Sequence, residues 1–114
     1  MNTAASWIVI DEQHAEIRGV LNRNSVPQLW QQILQWSPSV GRLEIDLNEV
    51  LNSDSAAMAL ILHLIEHAKN CNCHIMLRSV PNKLLTLFEV SNAMPLLAGH
   101  IEIEIEGKSG YYTS

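Results

Sequence analysis

Apolar and polar positions follow two periodicities along the chain. Apolar residues at every second position indicate strands, whereas apolar residues spaced three and four apart indicate helices. The pattern predicts strands at 7–10, 15–21, 43–47, 74–78 and 101–106, and helices that begin near Val26, Ser55 and Asn82. The predicted order of elements is therefore β-β-α-β-α-β-α-β.

This order predicts a single α/β domain in which helices pack on a mixed sheet. The last three strands each follow a helix, which favours parallel pairing, whereas the polar turn at 11–14 makes the first two strands antiparallel. Strands 43–47 and 74–78 are expected inside the sheet. The last strand is expected at an edge, because its exposed glutamates, Glu102, Glu104 and Glu106, discourage further pairing. Residues 1–107 are predicted as the domain and residues 108–114 as a flexible C-terminal tail.

Composition narrows the classes of function. The chain has 114 residues, 47% of them hydrophobic, which suits one domain with an ordinary core. The net charge is -5 and no run of Lys or Arg occurs, which argues against nucleic acid and anionic membrane surfaces as partners. No apolar stretch is long enough to cross a bilayer, and the first residues do not read as a secretion signal. We therefore expect a cytoplasmic protein whose two cysteines are free thiols.

The stretch from Leu43 to Met58 holds the most informative polar residues. A short apolar strand ends in Asp46, a polar loop follows, and Asp54 and Ser55 then open a long apolar helix. Asp and Ser are preferred residues for capping a helix N-terminus, so a structural role explains them. The same residues would form an exposed polar corner, where open α/β sheets usually meet a ligand or partner. The two interpretations are compatible.

Two groups of residues have side chains that commonly bind metal ions. His63 and His67 match the His-x-x-Glu-His spelling of one zinc-protease class, but helical periodicity places both on the solvent side, away from a pocket. Cys71, Cys73 and His74 supply only one arm of a usual four-ligand site. The sequence therefore predicts no metal and no cofactor.

Catalytic motifs are not found in the sequence. It has no Gly-x-Ser-x-Gly elbow and no glycine-rich phosphate loop, so we predict no catalytic residues and no enzyme activity. Trp7, Trp30 and Trp36 are predicted to pack in the core or at its edge.

Several short motifs together resemble STAS domains, the fold shared by anti-sigma-factor antagonists and the cytoplasmic tails of sulfate transporters. The matching segments are Ile45-Asp46-Leu47, Asp54-Ser55, Leu60-Ile61-Leu62, Ala68-Lys69 and Val80-Pro81-Asn82-Lys83-Leu84. The run from Ala59 to Lys69 and the Ser6-Trp7 opening resemble, more narrowly, the small STAS subunit of Mla phospholipid-transport ABC complexes. The resemblance covers Trp7 to Ile105.

This resemblance implies a non-enzymatic partner protein. The Mla complex moves phospholipid between the inner and outer membranes of Gram-negative bacteria and so supports outer-membrane lipid asymmetry. Its STAS subunit sits on the cytoplasmic ATPase, supports assembly and activity, and reaches the permease and the inner membrane only through that partner. The partner-binding residues implied for this chain are Asn52, Ser53, Asp54, Ser55, Ala56, Ala59 and His63.

An alternative function is a regulator like the anti-sigma-factor antagonists, controlled by serine phosphorylation. Those proteins usually carry Asp-Ser-Ser/Thr-Gly and are phosphorylated on the second hydroxyl. This chain has Ala56 and Ala57 at the last two places of that motif. Ser55 is then the possible phosphorylation site.

Overall fold

Strands and helices alternate through most of the chain. The computed structural model of the chain describes residues 5–36, 41–105 and 108–111. The strands are β1 Ser6–Asp11, β2 His14–Leu21, β3 Arg42–Asp46, β4 Val50–Ser53, β5 His74–Arg78, β6 Glu102–Ile105 and β7 Lys108–Tyr111. The helices are α1 Val26–Leu34, α2 Ser55–Asn70 and α3 Asn82–Val90, and a short 3-10 helix spans Met94–Leu97.

The main sheet is mixed, as the sequence predicted. Its strands lie in the order β1-β2-β3-β5, and β4 pairs with the second half of β2. β1 is antiparallel to β2, whereas β3 is parallel to β2 and β5 is parallel to β3. Ile45 therefore lies beside Ala15 on one side and Leu77 on the other. The α/β fold with parallel inner pairs is confirmed.

The core lies between one face of this sheet and the three helices. Along β2, Ala15, Ile17 and Leu21 are buried, whereas the alternate residues Glu16 and Arg18 are at least partly exposed. The strands β3 and β5 contribute further buried residues to the same cluster, which the helices complete. Because a strand turns successive side chains to opposite faces, the second face of the sheet carries the alternate residues, among them Glu16, Glu44, Asp46 and Met76.

β4 was not predicted, since the sequence analysis placed a polar loop there. Val50–Ser53 pairs in parallel with Gly19–Leu21 and is only four residues long. Asn52 and Ser53 give the segment no apolar alternation, so no strand signal is visible in the sequence. The strand matters because it fixes the backbone that enters α2.

The C-terminal strand pairs differently from the prediction. β6 was expected at an edge of the main sheet, but it pairs with β7 in an antiparallel two-stranded sheet. Ile101 alone forms a parallel bridge to Leu77. β5 was expected inside, and within the described residues it is the last strand of the main sheet. Alternation predicts a strand but not its partner. The predicted tail, 108–114, contains β7, while Glu106 and residues 112–114 lie outside the described residues.

A pair of stacked histidines holds the segment before β6 against β5. The imidazole rings of His74 and His100 lie 4.5 Å apart, centroid to centroid, and nearly parallel. His100 Nδ1 is 2.8 Å from the carbonyl oxygen of Ile75, to which it donates, and Leu77 N donates to the His100 carbonyl at 2.7 Å. Protonation of His100 would place a charge in this half-buried contact.

Acidification is expected to weaken the fold through His100. Burial, aided by the nearby His74 and Lys69, lowers the pKa of His100 from its ordinary 6.5, although the hydrogen bond to Ile75 opposes this. The unfolded chain therefore binds the proton more readily, so the free energy of unfolding falls as the pH drops below 6.5. His100→Gln should reduce this fall between about pH 7 and 5, measured by urea unfolding at each pH.

His14 provides a control of opposite sign. Its hydrogen bond to Asp11, with a further contribution from Glu44, raises the pKa of His14 above 6.5. The stabilisation from His14 is therefore fully present below pH 6.5 and lost as the pH rises through the raised pKa. His14→Gln should steepen the loss of stability on acidification. If His100→Gln left the dependence of the free energy of unfolding on pH unchanged, the role given to His100 would be wrong.

Candidate protein-docking site

Asp54 forms the corner between β4 and α2. Its backbone is extended, and its carboxylate Oδ1 accepts a hydrogen bond from Ala56 N at 2.8 Å. Its own backbone N donates to the carbonyl oxygen of Leu21 at 3.1 Å, which ties the corner to β2. The predicted cap is therefore confirmed for Asp54. Ser55 follows as the first helical residue, and its side chain is exposed.

Asn52 connects the corner to the start of α3. Its Oδ1 accepts from Lys83 Nζ at 2.7 Å and from Ser53 N at 2.9 Å. Ser53, a predicted contact residue, is only 3% exposed. Its side chain is therefore buried at the corner, and its contact with a partner stays a prediction.

A groove between α1 and α2 adjoins this corner. Its volume is about 410 Å³, and it is lined by Arg23, Val26, Pro27, Trp30, Ala56, Ala59, Leu60 and His63. Ala56 and Ala59 leave room because their side chains end at Cβ. The imidazole of His63 lies 5.9 Å from the Trp30 ring, centroid to centroid. The structure thus brings three predicted contact residues, Ala56, Ala59 and His63, to one groove.

Sequence reasoning missed the residues that face the groove from α1 and those beside the corner. Val26 and Trp30 are four residues apart on one face of α1, and this spacing was the available signal. Arg23 lies in the turn before α1, where helical spacing gives no signal. Leu51, which is 69% exposed, was missed because β4 was not predicted. An exposed large apolar side chain three residues before Asp54 is consistent with a protein-contact surface at the corner.

Asp46 does not belong to this site. It ends β3 and lies beside Glu16, on the face of the sheet away from the core. There it lines a separate cleft with Glu44 and Arg78, which form an ion pair with each other. Its Oδ1 accepts from Asn48 N at 2.8 Å. The loop after β3 and the four residues of β4 separate Asp46 from Asp54, and Ala56, two residues after Asp54, lines the groove.

His67 also departs from the prediction. It was expected in solvent, but it is half-buried between Trp30 and Trp36, with ring centroids 5.9 and 6.2 Å away. Trp36 in turn packs against Trp7 at 5.4 Å, which confirms the packing role predicted for the tryptophans. The prediction was wrong because α1 packs over the side of α2 that carries His67, and the sequence pattern on that side did not indicate burial. Across the described ranges, no three His, Cys, Asp or Glu side chains are grouped closely enough to hold a metal ion.

Comparison with known proteins identifies the family. The family model described as "Mlab, STAS domain" matches residues 10–98. The chain belongs to the MlaB-type STAS family. It is 30% identical over 92 residues to the "Intermembrane phospholipid transport system binding protein MlaB" of Escherichia coli strain K12, and equally to that of Shigella flexneri. Each alignment covers 81% of this chain and 92% of the relative.

A solved structure shows the same STAS fold. The unphosphorylated anti-sigma factor antagonist SpoIIAA superposes with a TM-score of 0.60, covering 90% of each chain at 19% identity. STAS domains of this type form a family of non-catalytic binding and regulatory domains. The family match spans the corner, the groove and α3. Within the described residues, no helix is both long and apolar enough to cross a membrane.

The cap of α2 can be tested by substitution. Asp54→Ala should lower the free energy of unfolding by about 1 kcal/mol, because it removes the side-chain acceptor for Ala56 N. Asp54→Asn is the matched control, since Asn caps about as well as Asp. Urea unfolding measures both. If the Asn variant lost as much stability as the Ala variant, the capping role would be wrong.

The environment of Ser55 bears on the phosphorylation alternative. The Asp54 carboxylate already accepts from Ala56 N, so it occupies a helix N-terminal donor that a phosphate would otherwise use. The same carboxylate would repel a phosphate on the neighbouring residue. Phosphorylation of Ser55 stays a prediction, and intact-mass measurement of the protein from its native host tests it.

Proposed function

We propose that this chain is a non-enzymatic cytoplasmic subunit of an Mla-type ABC phospholipid transporter and that it binds the transporter's ATPase. The similarity to MlaB over most of both chains supports the transport system as its setting. The rigid corner with its adjoining apolar groove supports binding to a protein. Through the ATPase the chain would associate peripherally with the permease complex at the inner membrane.

The proposed docking surface combines the corner and the groove. Asn52 and Ser55 are exposed at the corner, with Asp54 between them as the cap. Ala56, Ala59 and His63 continue the surface along α2 and line the groove. Their small or half-exposed side chains allow a partner to approach the helix backbone closely.

The proposed mechanism is stabilisation by binding. A surface held by β4 pairing and by the Asp54 cap loses little conformational freedom when it docks. If this chain binds only the assembled, competent arrangement of the ATPase, its binding shifts the equilibrium between ATPase arrangements towards the assembled one. The chain then supports assembly and activity of the ATPase without chemistry of its own.

Co-purification with the cognate ATPase tests the function. The chain and the ATPase encoded with it are expressed together, and the tagged chain should retain the ATPase through affinity and size-exclusion steps. ATP hydrolysis by the complete transporter in lipid should fall when the chain is omitted and recover when it is added back. Failure of the wild-type chain to retain the ATPase would overturn the proposal.

A further inference from the structure

The groove between α1 and α2 is long enough to bind a short segment of helix. On α2 its lining residues span positions 56 to 63, which is about two helical turns, or roughly 10 Å along the axis. The facing wall is made by Val26, Pro27 and Trp30 at the start of α1 and by Arg23 in the turn before that helix. Val26, Trp30 and Leu60 give the groove an apolar lining between the two helices. A groove of this length accepts side chains spaced three and four residues apart on one face of a bound helix.

The charge around the groove is positive although the chain as a whole is acidic. Arg23 lies at the groove beside Ala56 and is exposed, and within the described residues no carboxylate pairs with it. Lys83 lies at the other side of the corner, bound to Asn52. The Asp54 carboxylate already caps the N-terminus of α2, so at the corner two cations stand against one carboxylate. In a chain of net charge -5, this local excess favours an acidic partner surface.

We propose that the groove receives an amphipathic helix of the ATPase. One apolar face of that helix packs over Trp30 and between Ala56 and Ala59, and a carboxylate on its flank pairs with Arg23. This inference rests on the proposed function and specifies the chemistry of the partner segment. A bound extended strand does not fit, because the two walls are helices and offer no unpaired strand edge.

Filling the groove tests the apolar part of the inference. Ala59 is exposed and lines the groove, so Ala59→Leu places extra volume where the partner's side chain would sit. The variant should weaken ATPase capture by about tenfold or more, as expected for a blocked central contact. Asn70→Leu is the matched control, because it adds leucine at an exposed site about three turns along the same helix. The control should capture the ATPase normally.

Charge reversal tests the ionic part. Arg23→Glu should weaken capture and also reduce its sensitivity to salt, since it removes an attractive charge pair. Arg42→Glu is the control: Arg42 is an exposed cation at the start of β3 and does not line the groove. A photo-crosslinker at His63, which is exposed on α2 and lines the groove, then identifies the ATPase segment by mass spectrometry. Reversing the carboxylate on that segment should restore capture by the Arg23→Glu variant.

The outcomes separate this inference from the proposed function. If the wild-type chain captures the ATPase but Ala59→Leu binds as well as Asn70→Leu, the groove is not the helix seat. Equal binding by Arg23→Glu and Arg42→Glu, or a crosslinked segment without a carboxylate, would also overturn the inference. A crosslink to a second copy of this chain would overturn it in favour of self-association. The proposed function itself would be overturned only if the wild-type chain failed to capture the ATPase.

Discussion

Ser55→Trp is expected to reduce capture of the ATPase by more than about tenfold, or about 1.4 kcal/mol of binding free energy. Ser55 is exposed as the first residue of α2, beside the Asp54 cap and one residue from Ala56 in the groove. The indole ring of a tryptophan at position 55 would prevent the partner surface from approaching the corner by several ångströms. The loss is measured as the dissociation constant of the purified chain for the ATPase.

Three controls make this result specific. Ser55→Ala should weaken capture only modestly, because it removes a hydroxyl without adding volume. Asn70→Trp places the same indole at an exposed site at the far end of α2 and should leave capture unchanged. Thermal unfolding of all variants should stay close to that of the wild type. If Ser55→Trp bound like Asn70→Trp, the corner would not be the contact.

Phe88→Ala is expected to lower the free energy of unfolding by about 3–5 kcal/mol. Phe88 is fully buried and has the largest such side chain among the residues that the structure describes, so its truncation leaves a cavity in the core. Such a loss is a large part of the stability of an ordinary domain. Because Phe88 holds α3 on the core, the variant should also loosen the contact between Lys83 and Asn52.

The control for this prediction lies on the same helix. Glu89 is exposed, so Glu89→Ala should change the free energy of unfolding by no more than about 0.5 kcal/mol. Urea unfolding followed by circular dichroism measures both variants. A loss of less than about 1 kcal/mol for Phe88→Ala would mean that α3 is not anchored by this side chain.

The sequence predicted most of the fold because periodicity reports directly on burial. The alternation in Ala15, Ile17 and Leu21 and the helical spacing in α2 both reflect one apolar face turned to a common core. β4 escaped prediction because its two apolar residues, Val50 and Leu51, are adjacent and so show no alternation. The pairing of β6 with β7 was not predicted for a related reason: alternation indicates that a segment is a strand but not which strand it pairs with.

The candidate site was predicted only in part. Asp54 and Ser55 were found because capping is local and depends on residue type. Arg23, Trp30 and Lys83 were missed, since only tertiary packing brings α1 and α3 to the start of α2. His67 was misplaced because helical periodicity identifies one buried face and cannot show that a second helix covers part of the other. Ser53 was assigned by position in a motif, and its burial follows from the unpredicted strand.

Hydrogen–deuterium exchange of the chain with and without the cognate ATPase locates the docking surface. We expect slower exchange on binding in the backbone from Val50 to His63 and in residues 23–30, which are the turn before α1 and the first part of that helix. Exchange in β1 and in the two-stranded sheet of β6 and β7 should not change. Slower exchange confined to β6 and β7, or to the strands that carry Glu44 and Arg78, with none at the corner, would show that the chain docks by another surface.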